Sequence, residues 1–132
     1  MAKPKASMKI SLPPWTGKSQ AYAWRKEVLR RLNEKRASSG AGFPRDAQVE
    51  VIALVFMVRS RKGALGQDVD NVLKHICDAL QARRGGSKGS WHKGKLIKND
   101  RQVFRAVIEK RYLKKKNPSG GHLTVRPYEL RA

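Results

Sequence analysis

The chain has 132 residues, of which 30 are Lys or Arg and 10 are Asp or Glu, so its formal net charge at pH 7 is +20. Hydrophobic residues make up 39% of it, which suits one domain spanning residues 1–132 and excludes a disordered tail. The charge favours nucleic acid as the partner, because each phosphate that Lys or Arg neutralises releases counterions.

The first half of the chain is predicted as strand, helix and strand. Residues 8–12 (MKISL) form a short strand that Pro13 and Pro14 end, since proline lacks a backbone N–H. From Ser19 to about Ala37 apolar residues recur at spacings of three and four, which predicts a helix with Lys and Arg on its other face. Residues 49–58 (VEVIALVFMV) are nearly all apolar and rich in β-branched residues, as is typical of a central strand.

The second half is predicted as a helix followed by two strands. Residues 67–80 (QDVDNVLKHICDAL) place one apolar stripe on a helix: Val69, Val72, Leu73, Ile76, Cys77 and Leu80. A basic, glycine-rich loop follows at 83–98, and then a strand at 102–113. The last strand, 122–130, contains Pro127, which either puts it at a sheet edge or ends it early. The order β-α-β-α-β-β predicts an α+β fold, with two helices packed on a small mixed or antiparallel sheet.

Three of the acids fall in the second helix, although most of the chain around them is basic. Asp70, Lys74 and Asp78 are spaced by four and form one ridge, on the side opposite the apolar stripe. Asp68 lies at the helix start, where a carboxylate can cap free N–H groups. One interpretation is therefore structural: a helix cap and a solvated face.

The other interpretation is a magnesium site. Mg²⁺ takes oxygen ligands, usually one or two carboxylates with waters and substrate phosphate oxygens. Asp68 and Asp70 can converge on one ion, and Asp100 is the next acid along the chain outside this helix. Carboxylates near a phosphate backbone weaken binding unless a cation lies between them, which favours a metal in a protein of this charge. Lys74 can then stabilise negative charge on a phosphate.

Two segments carry a family resemblance. Residues 68–80 (DVDNVLKHICDAL) fit the pattern D-x-D-N-x-x-K-x-x-x-D-A-L, and residues 100–103 (DRQV) fit D-x-Q-V. In residue types, spacing and order they resemble the RusA family of Holliday junction resolvases, and a weaker resemblance extends over most of the chain. The sequence departs from the family at Asn99, where an acid is common, and in the longer, more basic loop before it.

The resemblance implies a Mg²⁺-dependent endonuclease, with Mn²⁺ as a substitute ion, that resolves branched DNA by paired nicks as a homodimer. The residues it assigns to catalysis are Asp68, Asp70, Lys74 and Asp100. The three aspartates among them are implied to bind the metal, with Asn71 and Asp78 in supporting positions. The alternative is a non-catalytic basic protein that binds DNA or RNA and keeps the fold, with its acids acting as helix caps.

Basic residues on both sides of the acidic helix are candidate contacts to DNA phosphates: Arg59, Arg61, Lys62, Arg83, Arg84, Lys88, Lys93 and Lys95. Within the loop, Trp91 or His92 is a candidate for stacking on an unpaired base. The alternative for this loop is a disordered, solvated insertion. Trp15 and Trp24 are predicted to lie in the core or an interface.

The remaining features concern the protein's setting. Cys77 is the only cysteine, which excludes an internal disulfide and favours the cytoplasm, in a bacterial or phage-infected cell as the resemblance implies. No run approaches the roughly 18 apolar residues of a membrane span, and residues 1–9 lack the apolar segment of a secretory signal. The sequence has no P-loop, so no nucleotide cofactor is expected.

Overall fold

The computed structural model describes residues 7–15, 21–39, 47–58, 69–82, 96–113 and 119–129. The elements follow in the predicted order: β1 (Met8–Ser11), α1 (Ala21–Ser39), β2 (Val49–Val58), α2 (Val69–Leu80), β3 (Val103–Leu113) and β4 (Gly121–Pro127). A short 3₁₀ helix, Asp100–Gln102, leads into β3. The fold is α+β, as predicted. In the described ranges, neither helix has the length and apolar character that crossing a membrane requires.

The four strands form one mixed sheet in the order β1-β4-β2-β3. β4 is antiparallel to both of its neighbours, whereas β2 and β3 are parallel. A parallel pair needs a long crossover connection, and α2 lies in that connection. β2 is central, as predicted. β4 lies inside the sheet and ends at Pro127, so the proline ends the strand early and does not mark an edge.

The hydrophobic core lies between one face of the sheet and the two helices. Every second residue of β2 points into it: Val49, Val51, Ala53, Val55 and Met57. The helices contribute Trp24, Val28, Leu29 and Leu32 from α1, and Val72, Ile76, Ala79 and Leu80 from α2. The apolar stripes predicted for the two helices are thus the faces that pack on the sheet.

One buried acid, Glu50, lies on the opposite face of the sheet. Arg105 of β3 donates a hydrogen bond to its Oε2 over 3.0 Å, and Arg126 of β4 donates one to its Oε1. The bond from Arg126, followed by that from Arg105, holds the pKa of Glu50 below its usual range. This carboxylate therefore ties three neighbouring strands together and offsets the repulsion between two arginines.

β4 begins with a glycine pair enclosed by the backbones of β1 and β2. Gly120 donates to the carbonyl of Leu12 over 2.7 Å, and its own carbonyl accepts from Phe56 over 2.8 Å. Gly121 has a φ of +116°, and a Cβ on it would lie 1.8 Å from the carbonyl oxygen of Leu54. Only glycine meets both requirements at this position.

We expect Gly121→Ala to lower the free energy of unfolding by more than about 3 kcal/mol, because it combines backbone strain with a clash against β2. Urea denaturation followed by circular dichroism measures this. Thr124→Ala, a half-exposed position of the same strand, is the matched control and should cost less than about 1 kcal/mol. Equal losses for the two variants would contradict the close packing at this glycine.

Candidate active site

A cavity of about 620 Å³ lies between α2 and the start of β3. Residues of α2 form one wall: Asp70, Leu73, Lys74, Cys77 and Asp78. The segment that enters β3 forms the other wall: Asp100, Val103, Phe104, Arg105 and Ala106. The two sequence motifs, separated by 19 residues between Leu80 and Asp100, therefore face the same space.

A backbone closure brings the second motif to the first. The carbonyl of Leu80, at the end of α2, accepts hydrogen bonds from the N–H groups of Leu96 and Ile97 over 2.8 and 3.2 Å. Both Leu96 and Ile97 are buried in the core. The chain thus returns to the helix that it left, whatever the path of the residues between them. This contact brings the segment that carries Asp100 back beside α2.

The 3₁₀ helix then fixes the backbone of Asp100. Asn99 caps it, its Oδ1 accepting from the N–H of Arg101 over 2.9 Å. Gln102 accepts from the N–H groups of Lys98 and Asn99 and donates to the carbonyl of Ala47, just before β2. Asn99 is the residue at which the sequence departs from the pattern of the RusA family. It has a structural role here as a helix cap, and asparagine and aspartate cap equally well.

Asp70 and Lys74 lie one turn apart on α2, and both are exposed at the cavity. Asp100 is exposed on the facing wall. Within the described residues, neither Asp70 nor Asp100 forms an ion pair, whereas Arg side chains pair with five other acids: Glu27, Glu34, Glu50, Asp78 and Glu109. In a protein with this excess of cations, two carboxylates without a cationic partner facing one cavity are suited to a bound cation.

The prediction that Asp78 lies on a solvated ridge is wrong. Its side chain is buried, and its Oδ2 lies 3.7 Å from Nη1 of Arg25 on α1. The reason is that α1 also packs against α2, so the buried arc of α2 is wider than its apolar stripe. Asp78 still lines the cavity, but its charge is already matched by Arg25.

Aromatic side chains surround this ion pair. Trp15 packs against Trp24 and His75, with ring centroids 5.6 and 5.0 Å apart. Arg25 donates to Nδ1 of His75 over 3.1 Å, because a guanidinium has no acceptor. Burial and then the charge of Arg25 lower the pKa of His75, which favours its neutral form. Both tryptophans pack in or against the core, as predicted.

Cys77 is a packing residue, as predicted, although it borders the cavity. Burial, with smaller contributions from the charges of Asp100 and Asp78, raises the pKa of its thiol to about 11. The thiol is therefore protonated at neutral pH and is a poor nucleophile.

The residues at the cavity suit a hard divalent ion, although they do not form a complete ligand set. In the described part of the chain, no group of three or more His, Cys, Asp or Glu residues can hold a metal ion. Asp70 and Asp78 are about 12 Å apart along the helix axis, too far to share one. Asp70 and Asp100 remain, and Mg²⁺ needs only one or two carboxylates when waters and phosphate oxygens complete its shell.

Several predicted residues fall outside the described ranges. They are the third acid, Asp68, the stacking candidates Trp91 and His92, and the basic residues Arg59, Arg61, Lys62, Arg83, Arg84, Lys88, Lys93 and Lys95. Asn71 is exposed and does not line the cavity. Sequence reasoning missed Phe104 and Arg105 on the cavity wall. Their place directly after the D-x-Q-V segment was the only available signal.

Comparison with known proteins adds no family assignment: no family model matches the chain, and no curated protein matches it.

Because the ion pair between Arg25 and Asp78 is buried, breaking it should lower the stability of the protein more than breaking an exposed pair. We expect Asp78→Asn to lower the free energy of unfolding by about 3 kcal/mol, because it removes the negative charge that buried Arg25 faces. Glu34→Gln is the matched control on α1, where Arg30 and Glu34 form an exposed pair over 2.7 Å, and should cost less than about 0.5 kcal/mol. Urea denaturation measures both variants. A loss below about 1 kcal/mol for Asp78→Asn would mean that the pair is not effectively buried.

Proposed function

We propose that this protein is a Mg²⁺-dependent endonuclease that cuts branched DNA, with four-way junctions as the preferred substrate. The observation that carries the proposal is that Asp70, Lys74 and Asp100, from two motifs resembling the RusA family, face one cavity. The net charge of +20 supports nucleic acid as the partner. The cytoplasm of a bacterial or phage-infected cell is the setting that goes with this function.

Asp70 and Asp100, with Asp68 as the third acid, would hold the ion. When bound, Mg²⁺ supplies an activated water and a polarised scissile phosphate, and Mn²⁺ can replace it. Lys74 contributes its ammonium group, which is exposed at the same cavity and can meet the non-bridging phosphate oxygens as negative charge develops. The resemblance implies products with 5′-phosphate and 3′-hydroxyl ends.

The surrounding residues hold this arrangement in place. The closure at Leu80 and the cap at Asn99 set the backbone of Asp100. The pair between Arg25 and Asp78 anchors α2 to α1 and keeps one acidic charge of the motif matched. Asp78 therefore stabilises the packing of α2, and the described acids left at the cavity to bind an ion are Asp70 and Asp100.

Paired nicks require two active sites. A four-way junction is close to two-fold symmetric, and a C₂ homodimer presents two identical sites to it. Phosphate contacts from the basic residues on either side of α2 would fix the DNA with little reading of base sequence.

A second function is a non-catalytic protein that binds DNA or RNA. It is favoured by one observation: Asp78, an acid of the same helix, forms an ion pair with Arg25 that serves the fold. In this case the only role of Asp70 would be to stabilise α2, because a negative charge near the start of a helix interacts favourably with the helix dipole.

Cleavage of synthetic four-way junctions in Mg²⁺ separates these functions. We expect Asp70→Asn and Asp100→Asn to reduce the cleavage rate at least about 100-fold, and Lys74→Met by a similar factor, because each removes charge that stabilises the transition state. The aspartate variants should keep their affinity for the junction in a gel-shift assay. Glu109→Gln is the control, because Glu109 is exposed on β3 and pairs with Arg111, and it should cut at the wild-type rate.

Two results would contradict the endonuclease. Cleavage by Asp70→Asn at the wild-type rate would show that Asp70 does not hold a catalytic metal ion. A wild-type protein that binds junctions and flaps but leaves them intact in both Mg²⁺ and Mn²⁺ would leave the binding protein as the function.

A further inference from the structure

Phe104 is an exposed aromatic side chain on the wall of the cavity. Its exposed fraction is 55%, and in the described ranges the only other exposed large hydrophobic residue is Val107, at 40%. Phe104 lines the cavity together with Asp100 and Lys74. A ring of this size would stabilise the fold if it were buried, and its exposure beside Asp100 and Lys74 leaves it open to a ligand of that cavity.

A β-bulge sets the position of Phe104. Val49 of β2 pairs with Val103 and Glu50 pairs with Arg105, so Phe104 is the extra residue of β3. Bulges are frequent beside active sites, where they redirect a side chain. Here the ring also packs against Tyr128, with centroids 5.6 Å apart, which restricts its motion while more than half of its surface stays open.

The surroundings of the ring favour a nucleobase over a protein surface. Lys74 lies across the cavity from Phe104, so a cationic group faces an apolar ring. Sites for single-stranded nucleic acid combine these features, since bases stack on aromatic rings while Lys and Arg contact phosphates. A stable protein interface needs about 800 Å² from each partner, whereas one aromatic ring supplies only about 200 Å².

We propose that Phe104 stacks on an unpaired base of the DNA strand whose phosphate enters the acidic cavity. The proposal rests on DNA as the ligand of that cavity, and so on the proposed function. The stacking contact would favour DNA in which a base beside the scissile phosphate can unpair. A base that stays paired in a continuous duplex cannot reach the ring. Branch points offer unpaired bases more readily than uninterrupted duplex.

A double-mutant cycle between the protein and the DNA tests this contact. The measurements use Asp70→Asn protein in EDTA, so that no strand is cut, and follow fluorescence anisotropy on a labelled four-way junction. Single abasic sites are placed in turn at each nucleotide around the branch. We expect Phe104→Ala to raise the Kd roughly 5- to 100-fold, and an abasic site at one position to do the same.

Combining the two changes should give no further loss, because each removes the same contact. Phe104→Trp should bind at least as tightly as the parent protein, since a larger ring also stacks. Val107→Ala is the matched control: it removes exposed apolar surface from the same strand, outside the cavity lining, and should leave the Kd unchanged.

Other outcomes overturn the proposal. An unchanged Kd for Phe104→Ala, or an equal loss with the intact junction and with every abasic one, would show that the ring does not contact a base. Dissociation of a dimer by Phe104→Ala in sedimentation velocity, without coupling to any abasic site, would assign the ring to a second copy of this chain.

The cycle also separates this proposal from the proposed function. If Phe104→Ala is coupled to one abasic site but the wild-type protein cuts no junction, the stacking contact is supported and the endonuclease proposal is wrong. Cleavage by the wild type without any such coupling would do the reverse. Thermal unfolding of Phe104→Ala should match the parent protein, because the ring is mostly exposed.

Discussion

The two hydrogen bonds that the carbonyl of Leu80 accepts from Leu96 and Ile97 determine the site, because they return the chain to the end of α2. The sequence between these residues is long, basic and rich in glycine, and nothing in its composition requires it to end beside the acidic helix. The turn that follows then presents Asp100 to the same cavity as Asp70 and Lys74.

Charge compensation distinguishes the two buried acids from the two acids that face the cavity without an ion pair. Glu50 and Asp78 are buried, and each is matched by arginine: Glu50 by Arg105 and Arg126 across the sheet, and Asp78 by Arg25 between the helices. Burying a charge without such a partner is costly, so these pairs serve the fold. Asp70 and Asp100 instead stay exposed, with no ion pair to another described residue. Two such carboxylates at one cavity repel each other, and a cation between them would remove this repulsion, which is the physical basis of the proposed metal site.

The order of elements could be predicted from the sequence, because the periodicity of apolar residues changes clearly between strands and helices. The central place of β2 followed from its nearly continuous apolar run. Periodicity could not predict the burial of Asp78, since it shows one apolar stripe and not which second helix covers the polar side. Nor could it predict the bulge at Phe104, which depends on the register between β2 and β3. The joint position of Asp70 and Asp100 was suggested by the lack of other acids in this part of the sequence and by the motif resemblance. The backbone hydrogen bonds from Leu96 and Ile97 to Leu80 that bring the two motifs together are not visible in the side-chain pattern.

Anomalous diffraction from crystals grown with Mn²⁺ and a junction strand shows whether Asp70 and Asp100 share one divalent ion. We expect a single Mn²⁺ peak at the cavity, with carboxylate oxygens of both residues about 2 Å from the ion. A peak bound by only one of the two acids, or no peak while a phosphate occupies the cavity, would contradict it.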